Sequence, residues 1–530
     1  MVPVGTYGVG NSGYEFVTFE EMLRPIALFL HCFHLVSSNR ADVSSNDFTA
    51  IEQSSEATIA SKNGGTSAAA ANDDAPTKTK RPNIVVILAD QMQAGAMGVA
   101  GNGMVQTPNL DRLASQGFLT TNAYSAQPVC TPYRAQFMTG RYGWNTGVTQ
   151  NDVKLPNEEI TIAEILKDKG YHTGYVGKWH LGGSRYNDGG YIKPQDRQGF
   201  DLWAALSCSH NYFNTKYYRD DPSNPVEIVN GFEPWNQTDE AMGFINRKAG
   251  DDQPFFLVVS YGPPHNPYQP HEQYDIYRPE DVPLRPNVPP RQENSARNAA
   301  ARYYGLVTSV DDMVGRIMRT LDERNLDDDT IVLFTSDHGD MLYSHGVTKK
   351  QRPHEESANV PFIIRYPQSN IVPGTVSDLL ISSVDILPTV LGLVGVEHPD
   401  DIDFDGRDLS LSFGTTNADG PGAMQEQPDA LLLYNDLFGS NSPGWAWRAI
   451  REARWKYAIS PAGGWLLFDL EQDPYEMNNL IEDPAYSDQY AQLHARLVEL
   501  RKQSGDVVAL VGRNQTAPPE YPNPPDFNRD

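Results

Sequence analysis

Short apolar segments that end abruptly at polar residues limit the fold of this chain more than any other feature. The segments 84–88, 172–176, 255–260 and 331–335 are apolar along most of their length rather than alternating, and stretches with helical spacing separate them. Strands with this pattern are typical of a parallel sheet that is buried on both faces. The sequence therefore predicts an α/β fold with a large, mostly parallel sheet flanked by helices.

The helices between these strands have recognisable ends. Thr107 and Pro108 suit the start of a helix that stops at Gly117, and residues 161–170 repeat this design. Apolar residues recur at helical spacing over about 294–325. These three helices complete the pattern of alternating strands and helices.

Ionisable side chains follow each of the four predicted strands. A single acid after a strand is often only a helix cap, but four strands deliver such residues to the same edge of the sheet. Ligands of open α/β sheets bind at this carboxyl edge. The candidate site residues after the strands are Asp90 and Gln91, Lys178 and His180, His265, and Asp337 and His338.

The composition restricts the partners of the protein. Asp and Glu number 68 against 42 Lys and Arg, which gives a net charge of −26. This charge argues against broad binding to nucleic acid or to anionic membranes, both of which need a basic surface. An anionic substrate would have to be held by a few cations in a local pocket. The three cysteines form neither a disulfide framework nor a CxxC metal pair.

The first 80 residues differ from the rest of the chain. Read from Met22, residues 22–38 have a cationic start and a short apolar run, as a secretory signal does. Residues 37–80 are rich in small and polar residues, which predicts disorder. We therefore predict a signal-like, disordered segment over 1–80, export to the periplasm or the medium with Met22 as the true start, and no stable membrane span. A buried or floppy N-terminal segment that is not a signal is the alternative.

One cysteine has an unusual setting in the segment PVCTPYRAQFMTGR, residues 128–141. Cys130 precedes a predicted helix, with Pro132 in its first turn and Arg134 one turn further on. A helix N-terminus and an arginine stabilise an anionic ligand or a thiolate. Cysteine phosphatases use such a thiolate, but their loop has a longer spacing between the cysteine and the arginine. A small buried thiol is the plain alternative.

The motif C-T-P-Y-R followed by Thr139-Gly140 resembles the signature of the formylglycine-dependent (type I) sulfatases, in the alkaline phosphatase superfamily. Asp90, the segment 177–182, His265, Asp337 with His338, and Lys350 follow in the order of that family. The resemblance runs from about 81 to about 506. It implies an alkaline-phosphatase-like catalytic domain over 81–427. It also implies a C-terminal subdomain and tail of antiparallel sheet and helix over 428–530.

The resemblance also implies a chemistry. A maturation enzyme would oxidise Cys130 to formylglycine. One hydroxyl of the hydrated aldehyde would attack sulfur, and loss of the proton from the other would expel the sulfate. Arg134 would orient this group, Lys178 and Lys350 would hold the sulfate, His180 would assist the elimination, and His265 would protonate the leaving oxygen. The implied metal ligands are Asp90, Gln91, Cys130, Asp337 and His338.

The metal and the substrate remain open at this stage. Calcium is usual in the family, but Gln91 and His338 stand where Asp and Asn are frequent, so Mn²⁺ and Mg²⁺ stay as alternatives. We expect a sulfated carbohydrate as substrate, with Arg185, His210 and Asn211 as candidate sugar contacts. A phosphonate or phosphate ester hydrolase of the same superfamily is the main alternative. A non-catalytic binding protein is less consistent with the complete residue set, and no GxSxG of a serine hydrolase follows any predicted strand.

Overall fold

The computed structural model describes residues 81–183, 190–219, 223–229, 231–399, 402–414, 429–436 and 442–510. The predicted signal, the start at Met22, the segment 1–80 and the candidate sugar contact Arg185 lie outside these residues. The strands are β1 (Asn83–Asp90), β2 (Phe118–Thr120), β3 (Ala123–Tyr124), β4 (His172–Lys178), β5 (Leu202–Leu206), β6 (Asn214–Tyr217), β7 (Val226–Val229), β8 (Phe255–Pro264), β9 (Thr330–Ser336), β10 (Asn359–Val360), β11 (Phe362–Arg365), β12 (Thr375–Ser377), β13 (Ile381–Ser382), β14 (Ala430–Asn435), β15 (Trp447–Glu452), β16 (Trp455–Ser460) and β17 (Gly463–Asp469). The α-helices are α1 (Pro108–Ser115), α2 (Cys130–Thr139), α3 (Gly143–Thr146), α4 (Ile162–Asp168), α5 (Glu233–Lys248), α6 (Glu293–Glu323), α7 (Glu355–Ala358), α8 (Ile386–Leu393) and α9 (Ser487–Gln503).

The main sheet has eight strands in the order β12-β2-β11-β9-β1-β8-β4-β5. Neighbouring strands from β9 to β5 are all parallel. β11 reverses direction and pairs antiparallel with both β9 and β2, while β12 runs parallel to β2. The prediction of a large, mostly parallel sheet is confirmed.

Both faces of this sheet are buried, as the apolar strands predicted. In β1, Ile84, Val86 and Leu88 belong to one core, which side chains of α2, α4 and α8 complete. Val85 and Ile87 point to the opposite core, which α1, α5 and α6 complete. Because side chains alternate between the faces of a strand, a strand covered on both sides needs an unbroken apolar run.

The three predicted helices are present as α1, α4 and α6. Their sequences explain two of the starts. Pro108 opens α1, where a missing N–H costs nothing. Thr161 and Glu164 form a capping box at the start of α4, in which each side chain satisfies the backbone N–H of the other.

The C-terminal part forms an antiparallel sheet of four strands in the order β14-β15-β16-β17. One face packs on α9 through Leu493 and Leu497. The other face packs on Tyr124, Ala358 and Leu380, which belong to the first part of the chain. The expected antiparallel sheet and helix are therefore present, and the division at 427/428 stays a prediction. Among the described residues, none of the helices has the length and apolar character needed to cross a bilayer.

Candidate active site

The ends of the parallel strands bring the predicted residues together. Asp90 ends β1, Lys178 ends β4, His265 directly follows β8, and Asp337 and His338 directly follow β9. All of these side chains are buried. The strands are parallel neighbours, so their carboxyl ends meet at one edge, as expected for a ligand site of an α/β sheet. Cys130 is the first residue of α2 and lies at the same place.

A candidate metal centre lies in this cluster. Ligand atoms of Asp90, Cys130, Asp337 and His338 all lie within 4.8 Å of one another. Nδ1 of His338 lies 3.0 Å from the carbonyl oxygen of Gly339, so Nδ1 carries the proton and Nε2 presents its lone pair to the cluster. Two carboxylates and a neutral imidazole are donors that suit a divalent cation.

Gln91 adds an amide oxygen to these donors. Its backbone N–H donates to Asp337 Oδ1 at 3.0 Å, and its Nε2 donates to Asp340 Oδ2 at 2.7 Å and to Asn266 Oδ1 at 3.2 Å. Its Oε1 is buried and has no hydrogen-bond partner. Buried polar atoms are rarely left unsatisfied, so this free oxygen fits a cation ligand. The residues present therefore fit the metal that the resemblance implies.

Asp340 was not predicted from the sequence. Besides binding the amide of Gln91, its Oδ2 accepts a hydrogen bond from Tyr268 at 2.5 Å. The only sequence signal for this residue is its place in the segment S-D-H-G-D, three residues after Asp337. Asp340 fixes which way the Gln91 amide faces.

Arg134 forms hydrogen bonds with residues of three neighbouring parts of the sheet. Its Nη1 donates to the carbonyl oxygen of Lys178 at 2.8 Å and to Ser260 Oγ at 2.7 Å. Its Nη2 donates to Asp337 Oδ2 at 3.0 Å. The side chain is fully buried, and its planar guanidinium supplies these directed donors at once. The arginine thus links the end of β4, the middle of β8 and the residue after β9 to α2.

Two lysines place positive charge in the site. Lys178 Nζ lies 2.5 Å from Asp90 Oδ2, and Lys350 Nζ lies 2.9 Å from both Cys130 Sγ and His338 Nε2. Burial would raise the pKa of Asp90, yet Lys178 and the neighbouring cations hold it well below its ordinary value. Burial and Asp90 also work to raise the pKa of Cys130, but Lys178 and Lys350 lower it well below the ordinary value. The site therefore favours anions although the whole chain is acidic.

Two histidines flank the cluster. His180 Nε2 lies 3.0 Å from Asp152 Oδ1. Burial would lower the pKa of His180, but Cys208 and Asp152 raise it to about 10. His265 Nδ1 lies 2.5 Å from the carbonyl oxygen of Asn266, so Nδ1 donates there and Nε2 remains for a ligand.

The candidate sugar contacts occupy different settings. The ring of His210 stacks on His265, with centroids 3.6 Å apart and planes 8° apart, and only 4% of the residue is exposed. Its Nε2 lies 3.7 Å from Cys208 Sγ. Asn211 is exposed, and its Oδ1 accepts hydrogen bonds from the backbone N–H groups of residues 213 and 214. Their contacts with sugar remain predictions, but the structure brings His210 to the site.

A mostly parallel sheet with a site at its carboxyl edge and a candidate nucleophile at a helix start is the arrangement of an α/β enzyme that uses covalent catalysis. Residues 82–396 match the Sulfatase family, and residues 344–503 match the C-terminal family of N-sulphoglucosamine sulphohydrolase. The chain therefore belongs to the sulfatase family of the alkaline phosphatase superfamily, and it is a sulfuric ester hydrolase.

Individual relatives support this assignment. The chain is 40% identical over 438 residues to the ulvan-active sulfatase of Formosa agariphila, covering 82% of this chain and 83% of that protein. The solved structure of the yidJ protein of Bacteroides fragilis has a TM-score of 0.72 at 30% identity, covering 81% of this chain and 97% of that one. A structure with its substrate D-glucosamine-2-N,6-O-disulfate has a TM-score of 0.71 at 25% identity and covers 81% and 99% of the two chains.

Proposed function

We propose that the protein removes sulfate from a sulfated carbohydrate by means of a formylglycine made from Cys130 and a bound divalent cation. The observation that carries this proposal is the position of Cys130, which starts α2 between the candidate metal ligands and the two buried lysines. The names of two relatives support the substrate class, since one is active on ulvan and the other binds a sulfated glucosamine.

The formylglycine and the cation would each supply a part of the chemistry. A formylglycine at Cys130 would supply an oxygen nucleophile that is regenerated in each turnover, and a cation would offset negative charge beside it. Asp90, Gln91, Asp337 and His338 would hold the cation. We propose calcium, because most of these donors are oxygens, with Mn²⁺ and Mg²⁺ as the alternatives that the imidazole of His338 keeps open.

Lys178 and Lys350 would bind the sulfate group of the substrate. Both ammonium groups lie at the cysteine or at its neighbouring acid, where the sulfate has to sit for transfer. They are buried, so their attraction for an anion is screened much less by salt than that of surface lysines. Arg134 would keep Asp337 and the end of β4 in place, because it donates to both.

His265 would give a proton to the departing alcohol. Its Nδ1 is engaged with Asn266, so the proton has to leave from Nε2 of an imidazolium. Burial holds the pKa of His265 well below its ordinary value, and His210, Lys350 and Lys178 lower it further. A bound sulfate would offset the two lysines, so substrate binding itself would favour the protonated ring. His180, held by Asp152, would assist the release of sulfate.

The test is production of the protein with and without a formylglycine-generating enzyme. Mass spectrometry of the peptide around Cys130 should show the aldehyde only in the protein made with that enzyme. The rate of hydrolysis of sulfated oligosaccharides should rise in proportion to the fraction of Cys130 that is converted. Cys130→Ala should fold and bind metal but show no turnover. Full activity of Cys130→Ala would refute the proposal. Rates on matched sulfate, phosphate and phosphonate esters separate a sulfatase from the alternative ester hydrolase.

We also propose that the protein is exported. The support is the signal-like segment 22–38, which has a cationic start and a short apolar run. N-terminal sequencing of the protein from culture medium and periplasm should find a chain that begins after this segment. Full-length protein confined to the cytoplasm would contradict the proposal.

A further inference from the structure

Arg352 is an unusual cation on the loop that carries Lys350. We call residues 341–354 the Lys350 loop. The backbone N–H of Arg352 donates to Ser357 Oγ at 3.3 Å. Its side chain is partly buried, and its Nε is buried without a hydrogen-bond partner. Within the part of the chain that the structure describes, no carboxylate pairs with this guanidinium.

The other arginines in similar settings all have partners. Arg197 donates to backbone carbonyl oxygens, including that of Ile192. The remaining described arginines that are buried or partly buried each lie within 4.0 Å of a carboxylate oxygen: Arg134, Arg141, Arg285, Arg297, Arg316, Arg365, Arg448, Arg451, Arg496 and Arg501. In an acidic protein, a partly buried arginine without an acid is therefore an exception. Burial alone lowers its pKa, to about 10, so it stays charged at neutral pH.

The position of Arg352 connects it with the active site. Lys350 Nζ lies 2.9 Å from Cys130 Sγ, and two residues of chain span at most about 7 Å. The backbone beside Arg352 is fixed, since Trp447 Nε1 donates to the carbonyl oxygen of Gln351 at 3.1 Å. Arg352 therefore lies two residues from the lysine that contacts Cys130, on a stretch of backbone that is held in place.

We propose that Arg352 binds a second oxyanion of the substrate, a carboxylate or a further sulfate on the sugar next to the one that is desulfated. This inference rests on the proposed function and narrows the substrate class to polyanionic carbohydrates. A guanidinium presents paired N–H donors that match the two oxygens of a carboxylate or a sulfate. An acid from the protein would compete for these donors, and none of the described acids occupies them.

The test compares three oligosaccharides of equal length: one with a single sulfate, one that adds a neighbouring uronate, and one that adds a neighbouring sulfate. Arg352→Gln should lower kcat/KM by about tenfold or more on at least one of the doubly charged compounds, mainly through KM. The singly sulfated compound should change by less than about twofold on the same scale. The doubly charged compound whose kcat/KM falls identifies the anion that Arg352 binds. Arg302→Gln, at an exposed position on α6, is the matched control and should affect none of them.

Binding keeps this test separate from turnover. Calorimetry with the Cys130→Ala protein measures the affinity for the same three compounds without hydrolysis. A selective loss of affinity in Cys130→Ala/Arg352→Gln supports the subsite even if the sulfatase reaction fails. Equal losses on all compounds, no loss on either doubly charged one, or no binding by the Cys130→Ala parent would each overturn it. Arg352→Lys keeps the positive charge but lacks the paired N–H donors of a guanidinium, so it should lose less affinity than Arg352→Gln. It replaces Arg352→Gln in the test if that variant folds poorly.

Discussion

Lys456 is a buried cation that connects the C-terminal sheet with the Lys350 loop. Its Nζ lies 2.6 Å from Glu355 Oε1 and 2.7 Å from Glu476 Oε1. Glu476 Oε2 in turn accepts the backbone N–H of Glu355, the first residue of α7, at 2.8 Å. The Lys350 loop ends at α7, so this ionic group fixes one end of it. We predict that Lys456→Met destabilises the protein strongly and lowers activity.

The magnitude follows from what the substitution leaves behind. Methionine keeps much of the volume but removes the cation from two buried carboxylates. Glu355 retains Arg451, whose Nε lies 3.4 Å away, together with Tyr124 and Asn359. Among the described residues, the backbone N–H of Glu355 is the one hydrogen-bond donor left to Glu476. Removing one partner from a buried ion pair costs about 3–5 kcal/mol. Because Arg451 compensates in part, we expect a loss near the lower end of that range.

The loss of stability in Lys456→Met should depend on pH. Burial raises the pKa of Glu476 to about 7, against the opposing effect of Lys456. A carboxyl group whose pKa is higher in the folded than in the unfolded state stabilises the fold at low pH. This stabilisation is lost as the pH rises through the pKa of the folded state. Without Lys456 the pKa of Glu476 should rise further. Burial would also raise the pKa of Glu355, but Lys456 and Arg451 hold it below its ordinary value, so loss of Lys456 should raise it too. The variant should therefore be less impaired at about pH 5.5 than at about pH 8.

Urea unfolding of both proteins at the two pH values measures this effect. Arg454→Met is the control, because Arg454 is an exposed residue of the turn between β15 and β16 that pairs with Asp469. It should cost far less stability than Lys456→Met, because an exposed ion pair contributes little. The reasoning is wrong if Lys456→Met is as stable as this control, or if its loss does not grow toward alkaline pH.

Three further predictions concern the site. Asp337→Asn should reduce the divalent metal found by elemental analysis, because it removes a charged ligand; unchanged metal content would exclude Asp337 as a ligand. His210→Phe should slow alkyl sulfates more than aryl sulfates, whose leaving groups need less protonation, because His210 positions His265; equal losses would contradict this role. Arg134→Lys should lower both the melting temperature and kcat/KM, since an ammonium cannot reproduce all three directed bonds; wild-type values for both would show that the bonds are dispensable.

The central strands could be predicted from the sequence because their environment leaves a simple pattern. A strand such as β1, buried on both faces, has to be apolar at every position, and 84–88 is. The direction of β11 could not be predicted in this way. Its residues FIIR pair antiparallel with β9, but the same four residues would be equally apolar in a parallel strand. Orientation depends on pairing between segments that are distant in sequence.

The site residues also fall into those that the sequence pattern predicts and those that it does not. Asp90, Lys178, His265 and Asp337 could be predicted because each follows a recognisable strand, and parallel strands end at one edge. Lys350 lies on a loop without periodicity, so only the resemblance to the sulfatases indicated it. The sequence carries no local sign that Asp340 would bind the Gln91 amide, that Asp152 would meet His180, or that His210 would stack on His265. These contacts arise from tertiary packing.

The acidic composition and the anionic substrate are compatible because charge acts over short distances here. Salt screens exposed charges over roughly 10 Å at 0.1 M. The net charge of −26 therefore repels an anionic group only weakly once that group is inside the site. Inside, the buried side chains of Lys178, Lys350 and Arg134 dominate, and they depress the pKa of Asp90 in spite of its burial. Selectivity for anions is therefore a property of a few fixed cations. It follows that net charge can exclude partners that bind over a broad surface, but it says nothing against an anion held in a pocket.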